Sequence, residues 1–560
     1  MKKNRFIALA LAAGMTFCNV AATGVVALAD VPTSQTISSD SAADEQTGKY
    51  TISVKKGDSH TYTVYQVLTG TLIAGQEKLG DPKWGANASK TARAGKETDF
   101  ITAIKDKSGV ALAEEVAKYV DTTTKAIGTV SDSESGSLDV APGYYMIIDT
   151  TEFKDEKGNL KDVFKGDSRS LNIVAVFNDI QITPKKGTVV SEKHVDDQND
   201  SDTTDYSELK DSADYDIGDS IPYTLTMKLP EDYANFKQYY VSFVDDMSAG
   251  LTYNGDAKIY YGDADETGDS ISFASDTSMT SAYTGGTVYR ATIQNLKADD
   301  AIKEQQDLAA GSVITIKYTA TLNSNAVIGS AGNPNKYRID YSSNPNQEAD
   351  GEKKPETNDT PWDTNIVFTY KTVFNKVDAD QKPLTGADFR LDKFVADKDG
   401  ADTYGDGEAA IKGTWTDVTT LGTTAHPTKT TEDVKIDETN TAANAKFTFS
   451  GLDAGVYRLT ETTTPAGYNT IDPVTFTITA EHELVAENPK LTALSGVAGA
   501  EFTLTADKAD GSLTSNVVNK QGAILPSTGG IGTTILYVIG GILVIGGGAA
   551  IFIKRKKDAE

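Results

Sequence analysis

The chain has 560 residues, a formal net charge of −27 at pH 7 and a single cysteine. At roughly 150 residues per domain, this length favours about three domains rather than one. The acidic balance and the pI near 4.6 exclude nucleic acid as an expected partner, because the chain offers no basic surface to release its counterions. The four histidines are scattered and no phosphate loop or metal-spaced motif is present, so the sequence favours a protein that is not an enzyme and needs no cofactor or metal.

Residues 1–29 predict a secretory signal peptide. They combine a Lys/Arg start, an apolar middle and small residues at Ala27 and Ala29 before the expected cut. Cys18 lies inside this segment, so the exported chain would have no cysteine and no disulfide. Its stability must then come from large cores or from another kind of crosslink.

The central part of the chain predicts an all-β fold. Short alternating runs such as "HTYTVYQV", "SVITIKYTATL" and "KFTFSGL" are separated by turn clusters of Gly, Asp, Asn and Ser. Only residues 100–120 have a helical pattern. We therefore expect tandem Ig-like β-sandwiches with few helices.

Two interruptions divide this central part. The first is "ITPKKG" at 182–187, where Pro and Gly follow a strand, and the second is a polar, Pro-bearing linker at 344–364. The predicted domains are 30–185, 186–350 and 365–523. A polar insertion at about 396–444 predicts a surface loop in the last domain.

Ionisable and amide side chains recur on the apolar faces of predicted strands. Because side chains alternate with a period of two, Glu461 shares a face with Tyr457 and Leu459 in "VYRLTETTTPAGY". An unpaired buried charge costs several kcal/mol, so such groups are paired, solvated at strand ends or neutralised by a shifted pKa. The full set is Lys193, Asp245 and Asn335 in the middle domain and Lys376, Glu461 and Asn519 in the last domain.

A chemical alternative to plain ion pairs follows from these residue types. Burial favours the neutral amine of a lysine and the protonated form of an acid. A protonated acid can polarise an Asn carboxamide while the amine attacks it, and loss of ammonia leaves a Lys–Asn amide. Both interpretations, ion pairs and amides, stay open from alternation alone.

Three segments of the last domain, "NKVDADQKPLTGADFRL", "GLDAGVYRLTETTTPAGY" and "NVVNK", resemble the opening strand, the glutamate-containing box and the last strand of the collagen-adhesin B-type (CnaB) domain. That resemblance implies an isopeptide bond between Lys376 and Asn519, with Glu461 as the assisting acid.

The middle domain resembles the A-type (CnaA) pilin domain through "VDDMSAGL" and the Asn before "YRIDYSSNP". This implies a bond between Lys193 and Asn335 with Asp245 as the acid. Asp246 and Asn344 are close alternatives for the acid and the amide.

The first domain offers a weaker pattern. Asp149 ends the run "APGYYMIID", and Asn178 with Lys55 or Lys56 could complete a triad there. A first domain without a crosslink is the preferred interpretation.

Residues 525–560 have three parts in order. The segment begins with "LPSTG", continues with an apolar run at about 531–553 that can span about 30 Å of hydrocarbon, and ends with the basic run 554–557. Alone this predicts a C-terminal membrane anchor. The motif resembles the LPXTG sorting signal that sortases of Gram-positive bacteria recognise; its residues are Leu525, Pro526, Ser527, Thr528 and Gly529.

Signal peptide, three β-domains and LPXTG tail together resemble the backbone subunit of sortase-assembled Gram-positive pili. The resemblance implies that sortase attacks the Thr528 carbonyl, that Gly529 leaves with the membrane segment, and that a lysine between the first two domains resolves the acyl-enzyme. Lys185 is the expected nucleophile and Lys186 the alternative. Val176 and Thr183 stand where the family pattern has Trp and Tyr.

The partners implied by the resemblance are sortase, further copies of the chain, minor or tip pilins and peptidoglycan, with a host-surface ligand left open. The implied location is the cell surface, with covalent attachment to the cell wall. The alternative is a single-copy, wall-anchored adhesin in which Thr528 ends on peptidoglycan and Lys185 is inert.

Overall fold

The computed structural model defines the fold of most of the central chain. The signal peptide, Asn178, Lys185, Lys186 and the sorting motif lie outside the described residues. In the part that is described, no helix is long and apolar enough to cross a membrane. The described residues are 45–46, 48–73, 79–107, 109–132, 136–170, 173–176, 179–182, 187–201, 210–262, 268–298, 308–347, 355–405, 410–418, 429–430, 445–499 and 502–522.

The first domain packs two sheets and three short helices around two cores. In its larger sheet the order is β1-β3-β7-β8, with β4 and β5 also paired to β3, and the smaller sheet has the order β6-β2-β9. The elements are β1 (Glu45–Gln46), β2 (Tyr50–Val54), β3 (Thr61–Ile73), β4 (Leu79–Trp84), α1 (Lys90–Ala94), α2 (Glu97–Ile104), α3 (Gly109–Ala117), β5 (Gly128–Ser131), β6 (Ser137–Val140), β7 (Gly143–Asp149), a 3-10 turn (Asp162–Phe164), β8 (Ile173–Val176) and β9 (Ile180–Ile182).

The helical region differs from the sequence prediction. The predicted single helix at 100–120 is divided into α2 and α3, and α1 precedes them. The dividing sequence "KDKSG" contains Ser and Gly, which weaken a helix. Phe100, Ile104 and Val116 face the sheet and are buried, so apolar packing holds these short helices in place.

The middle domain is a sandwich of two sheets. One sheet has the order β10-β12-β19-β15-β16 with β14 on β19, and the other has the order β11-β22-β20-β13-β18-β17 with β21 on β20. The strands are β10 (Val190–Val195), β11 (Ser212–Asp214), β12 (Ser220–Lys228), β13 (Val241–Met247), β14 (Leu251–Tyr253), β15 (Lys258–Tyr261), β16 (Asp269–Ser270), β17 (Ala274–Ser275), β18 (Thr287–Ile293), β19 (Val313–Leu322), β20 (Asn333–Ser342), β21 (Thr357–Asp359) and β22 (Asp363–Phe368), with a 3-10 turn at Tyr233–Asn235.

The end of the middle domain differs from the predicted linker. β21 and β22 lie in or after the polar segment 344–364, yet both pair with β20. The run "VFTYKTVFNKVD" contains the end of β22, which completes the middle sandwich, and the whole of the next strand, which opens the last domain. Polar composition hid β21, whose middle residue Asn358 is buried and donates to the main chain.

The last domain is a second sandwich. Its sheets have the orders β28-β23-β33-β32 and β25-β26-β24-β29-β30-β31, with β27 on β24. β25, β26 and β27 lie within the segment predicted as a polar loop, and β26 extends the sheet through β24. The strands are β23 (Tyr370–Asp378), β24 (Asp388–Ala396), β25 (Asp402–Tyr404), β26 (Ile411–Asp417), β27 (Lys429–Thr430), β28 (Lys446–Leu452), β29 (Gly455–Thr463), β30 (Val474–His482), β31 (Leu491–Ala498), β32 (Thr505–Asp507) and β33 (Ser512–Asn519).

Hydrogen bonds fasten the first domain to the middle domain. The Arg169 guanidinium donates to Glu356 at 2.9 Å and to the Asp149 carbonyl at 3.0 Å. The Asp167 carbonyl accepts from the Tyr341 hydroxyl at 2.6 Å. This junction is therefore ordered by side chains from both domains.

The middle and last domains contact each other on two sides. On one side, Ser212 donates to the Glu483 carbonyl and Ser201 donates to the Phe394 carbonyl, each at 2.7 Å. On the other side, Gly329 (φ +94°) and Gly511 (φ +68°) approach so closely that a Cβ on Gly511 would lie 2.6 Å from the Gly329 Cα atom. Main-chain atoms thus meet directly at this second contact.

Candidate functional site

The middle domain brings Lys193, Asp245 and Asn335 together between its two sheets. Lys193 lies on β10, while Asp245 and Asn335 lie on the neighbouring strands β13 and β20 of the opposite sheet. All three side chains are fully buried. The alternation that placed them on apolar faces therefore reflects real burial.

Tyr318, on β19, connects the three side chains. The Lys193 ammonium lies 2.5 Å from Asp245 Oδ2 and donates to the Tyr318 hydroxyl at 2.9 Å. The Asn335 amide donates to the same hydroxyl at 2.8 Å, and that hydroxyl donates to Asp245 at 3.1 Å. The Tyr223 ring also packs against the lysine, with its centroid 4.7 Å from Nζ.

Burial shifts both ionisable partners toward their neutral forms. It lowers the pKa of Lys193 and raises the pKa of Asp245, although the attraction between the two opposes each shift. Asp245 Oδ1 and Asn335 Oδ1 are both buried and accept no hydrogen bond. A proton on Asp245 Oδ1 would supply the donor that these two oxygens lack.

The two alternatives for this triad lie elsewhere. Asp246 points away from Lys193 and accepts from the Ser281 hydroxyl at 2.5 Å and the Ala282 amide at 2.9 Å. Asn344 donates to Glu356 at 3.0 Å, at the junction with the first domain. The geometry therefore favours Asp245 and Asn335 over these neighbours.

The last domain brings Lys376, Glu461 and Asn519 together in a different way. Lys376 and Asn519 lie on β23 and β33, which are adjacent parallel strands, with Asn519 two residues beyond the partner of Lys376. Asn519 donates to both Glu461 oxygens at 3.0 Å and to the Asn469 carbonyl at 2.9 Å. Glu461 also accepts from the Ile471 amide at 3.0 Å.

Lys376 in this cluster contacts main chain rather than the acid. Its ammonium donates to the Val517 carbonyl at 3.1 Å and to the Val377 carbonyl at 3.4 Å. Burial lowers the pKa of Lys376 to about 8, and the charge of Glu461 opposes this shift. Asn519 Oδ1 is buried without a hydrogen-bond partner, as Asn335 Oδ1 is in the middle domain.

Among the described residues, the first domain does not place Lys55 or Lys56 beside Asp149. Lys55 and Lys56 lie exposed on a turn, and Asn178 falls outside the described residues. Asp149 is buried, but its carboxylate pairs with His60 at 2.7 Å and accepts from the Thr151 hydroxyl and the Ser170 amide.

His60 is held between two acids in the first domain. Its second ring nitrogen lies 3.0 Å from Asp167. Burial alone would lower the pKa of His60, but Asp149 and Asp167 together raise it to about 9. The absence of a crosslink in the first domain stays a prediction.

The sequence analysis missed two features. Tyr318 was not predicted as part of the middle cluster, because a tyrosine on an apolar face gives no signal of its own. Lys393 was missed although it shares the buried face of β24 with Phe389 and Leu391, so alternation would have found it.

Lys393 lies at the junction of the middle and last domains. Its ammonium contacts Asp216 and Asp453 at 2.6 Å and Asp200 at 2.9 Å. Burial would lower the pKa of Lys393, but the three carboxylates raise it well above its usual value. This lysine is therefore a charged ion-pair partner.

The residues expected to take part in polymerisation are Lys185 and Thr528, both outside the described residues. Lys185 follows β9, which ends at Ile182 in the first domain, and precedes β10 of the middle domain. Its place in the sequence is thus at the boundary between the first two domains.

Three family models match segments of the chain. Residues 217–345 match the Gram-positive pilin backbone subunit 2, Cna-B-like domain. Residues 371–490 match the SpaA prealbumin-like fold domain, and residues 517–560 match the LPXTG cell wall anchor motif. The model for the middle domain is described as Cna-B-like, whereas the sequence analysis predicted an A-type domain, and that subtype stays a prediction.

A relative in sequence is the trypsin-resistant surface T6 protein of Streptococcus pyogenes serotype M6. It is 31% identical over 182 residues, which cover 31% of this chain and 32% of the relative. The matched segment thus spans about a third of that protein's length.

Solved structures with a similar arrangement include two backbone or major pilins. The T6 backbone pilin of Streptococcus pyogenes is 16% identical, covers 86% of this chain and 100% of its own, and gives a TM-score of 0.46. The major pilin SpaD of Corynebacterium diphtheriae is 16% identical, covers 85% and 98%, and gives a TM-score of 0.44.

The pilin-backbone domain and the wall-anchor motif are matched in separate parts of one chain. The anchor motif indicates an exported protein attached to the cell wall. The chain therefore contains a Gram-positive pilin backbone domain, a SpaA prealbumin-like domain and an LPXTG cell wall anchor motif.

Proposed function

We propose that this protein is the shaft subunit of a covalent surface pilus, polymerised by sortase and stiffened by two intramolecular Lys–Asn isopeptide bonds. The observation that carries the proposal is the pair of buried Lys, acid and Asn clusters, one in each of the last two domains. In both clusters the Asn carboxamide oxygen is buried without a hydrogen-bond donor.

In the middle domain the reaction would join Lys193 to Asn335. The neutral Lys193 amine attacks the Asn335 side-chain carbonyl carbon, while the proton on Asp245 hydrogen-bonds to and polarises that carbonyl oxygen. The C–N bond to the Asn335 amide nitrogen breaks, and that nitrogen leaves as ammonia with the proton that the amine loses. Tyr318, which contacts all three groups, holds the amine and the amide in place.

In the last domain the same reaction would join Lys376 to Asn519. Glu461 accepts hydrogen bonds from Asn519 Nδ2, so the Asn519 carboxamide must rotate to bring its oxygen to the acid before the amine attacks. The Lys376 ammonium, now on the Val517 carbonyl, must lose its proton and turn toward Asn519. The lowered pKa of Lys376 makes that deprotonation accessible near neutral pH.

Polymerisation would join the Thr528 acyl group of one copy to the Lys185 amine of another, as the family resemblance implies. The Thr528–Gly529 peptide bond breaks as a sortase cysteine takes the Thr528 acyl group. The Lys185 amine of another copy then attacks this thioester, forms an amide and releases the thiol. Repetition produces a head-to-tail chain of subunits, and the final transfer to a peptidoglycan amine attaches it to the wall.

Intact-protein mass spectrometry tests the isopeptide bonds. The mature chain should be lighter than its sequence by two ammonia molecules, and Asp245→Ala and Glu461→Ala should each restore one of them. Asp246→Ala is the matched control and should keep both losses. A mass equal to the plain sequence would refute the bonds.

Electrophoresis of cell-wall extracts tests the polymer. Heat- and detergent-stable species of high mass should appear and should collapse to monomer in Lys185→Ala, while Lys186→Ala keeps them. A ladder that persists in Lys185→Ala contradicts the assignment of the nucleophile. The complete absence of a ladder in the unmodified protein would favour the single-copy adhesin.

A further inference from the structure

A second polar cluster lies at the junction of the middle and last domains. It consists of Asp197 and Asp214 from the middle domain and His482 from the last domain. One ligand atom from each residue lies within 4.8 Å of the others. His482 is far from the two aspartates in the sequence, which explains why spacing alone predicted no metal site.

The hydrogen bonds of His482 determine its tautomer. The Ser212 hydroxyl must donate to the Glu483 carbonyl, 2.7 Å away, because a carbonyl oxygen only accepts. The same hydroxyl lies 2.7 Å from His482 Nδ1, so it accepts the proton of Nδ1–H. His482 Nε2 therefore carries a lone pair, which faces Asp197 Oδ2 at 4.0 Å.

This arrangement is the usual one for a metal-binding histidine. In most such sites one ring nitrogen donates to an oxygen and thereby orients the other nitrogen toward the metal. The His482 side chain is only 7% exposed, so its packing holds the ring in this orientation.

Asp214 supplies the second independent observation. It is 95% buried, since its exposure is 5%, and its Oδ2 atom has no hydrogen-bond partner. The Tyr370 hydroxyl lies near this carboxyl group, and it too is buried without a hydrogen-bond partner. An uncompensated buried carboxylate oxygen is costly unless a cation or proton satisfies it.

In a neighbouring acidic cluster at the same junction, a lysine ammonium supplies the positive charge. Asp200 and Asp216 also lie close together, but the Lys393 ammonium contacts both. In the cluster of Asp197, Asp214 and His482, the Lys210 ammonium contacts Asp197 at 3.1 Å.

We propose that Asp197, Asp214 and His482 form a binding site for a divalent transition-metal ion of the Zn²⁺ class, which joins the middle and last domains. One imidazole and two carboxylates are ligands that Zn²⁺ accepts, with water in the fourth position. Ligand atoms around Zn²⁺ lie about 3–3.5 Å apart, so the 4.0 Å gap between His482 and Asp197 closes with a shift of under about 1 Å.

Lys210 modulates this site. Its ammonium repels a metal ion, but a carboxylate has enough lone pairs to accept both a lysine and a metal. Lys210 thus weakens the binding without blocking it, and its removal should strengthen the binding. This sign distinguishes a metal site from a simple ion-pair cluster.

The experiment is a titration of the untagged mature chain with Zn²⁺ by calorimetry, and with Co²⁺ by visible absorption. We expect one ion per chain. His482→Gln and Asp214→Asn should each weaken the affinity at least about tenfold, and Lys210→Met should strengthen it about tenfold. Circular dichroism of each variant verifies that the fold is retained.

The matched control is His194→Gln, which removes a histidine that pairs with Asp211 outside this cluster and should leave the affinity unchanged. The proposal is overturned if no saturable binding occurs, if both ligand variants bind as the unmodified chain does, or if Ca²⁺ binds more tightly than Zn²⁺. None of these outcomes bears on the isopeptide bonds, whose mass test is separate.

Discussion

Two buried lysines of this protein differ in the number of carboxylates around them. Lys193, inside the middle domain, contacts one carboxylate, Asp245, and burial lowers its pKa. Lys393, at the junction with the last domain, contacts three, and its pKa is raised well above the usual value. Both side chains are fully buried, so the number of acids decides whether the lysine is a candidate nucleophile or a permanent cation.

Two further bases extend this comparison. Lys376 has no direct carboxylate contact among the described residues, and burial lowers its pKa to about 8. His60 has two carboxylate partners and stays protonated to a pKa of about 9. A single acid or none favours a reactive amine, whereas two or more hold the positive charge.

The largest expected effect comes from removing the Lys193 nucleophile. Lys193→Met cannot form the middle-domain bond, and the loss of so long a closed loop should lower the free energy of unfolding by about 5 kcal/mol, by analogy with a disulfide. Calorimetry and intact mass measure the two consequences. Lys317→Met, an exposed position on β19, is the control. An unchanged ammonia loss in Lys193→Met contradicts the assignment.

Removal of the permanent cation should destabilise the protein without affecting the crosslinks. Lys393→Met leaves Asp200, Asp216 and Asp453 without their counter-charge, which should cost about 3–5 kcal/mol. Its intact mass should still show both ammonia losses. Lys412→Met, exposed on β26 of the same domain, should change stability little. If Lys393→Met and Lys412→Met changed stability equally, Lys393 would not act as the permanent cation that distinguishes it from Lys193.

His60, which has two carboxylate partners, predicts a pH dependence of stability in the first domain. The folded pKa of His60, about 9, lies above the ordinary value of 6.5, so its contribution is complete below pH 6.5 and is lost as pH rises through about 9. The loss should be about 3 kcal/mol at most. The groups facing His60 are Asp149 and Asp167, with Arg169 beside Asp149.

Chemical denaturation at a series of pH values measures this dependence. His60→Gln should flatten the decline between pH 6.5 and 9, because the titrating group is absent. His194→Gln is an informative second variant: burial would lower the pKa of His194, but Asp211 and Glu192 raise it to about 9. A decline in His60→Gln equal to that of the unmodified protein would assign the effect to other groups.

The smallest effect concerns rate rather than stability. With a pKa of about 8, Lys376 is neutral in about a tenth of molecules at pH 7 and in about a hundredth at pH 6. Formation of the last-domain bond in newly synthesised chains should therefore slow about tenfold between these pH values. Quenched samples analysed by mass spectrometry follow the ammonia loss. A rate independent of pH would show that deprotonation of Lys376 is not limiting.

Alternation predicted the buried ionisable groups well because each lies inside a regular strand. Glu461 on β29 and Lys376 on β23 are buried, as the period of two required. Residues without a charge signal, such as Tyr318, could not be found in this way, since a buried tyrosine resembles ordinary core. The sequence therefore predicted which charged and amide residues are buried, and the structure supplied the hydrogen bonds between them.

Domain and loop boundaries were predicted less well, because a polar composition indicates contact with solvent but does not show whether a segment pairs with a strand. β21 is polar and β26 lies in a polar insertion, yet both pair with buried strands. The junction contacts of Lys393 and His482 join positions far apart in the chain, and no local pattern encodes such tertiary neighbours. Family resemblance assigned the triads, but it did not indicate how the domains are joined.

The close approach of Gly329 and Gly511 has a consequence for shape. Backbone meets backbone there, and Lys393 with its three acids lies at another point of the same junction, so two separate contacts hold the last two domains together. A single methyl group at Gly329 would act as a wedge and alter the angle between the domains. In a fibre of identical subunits that small angle would recur at every repeat, and a straight filament would become a coiled one.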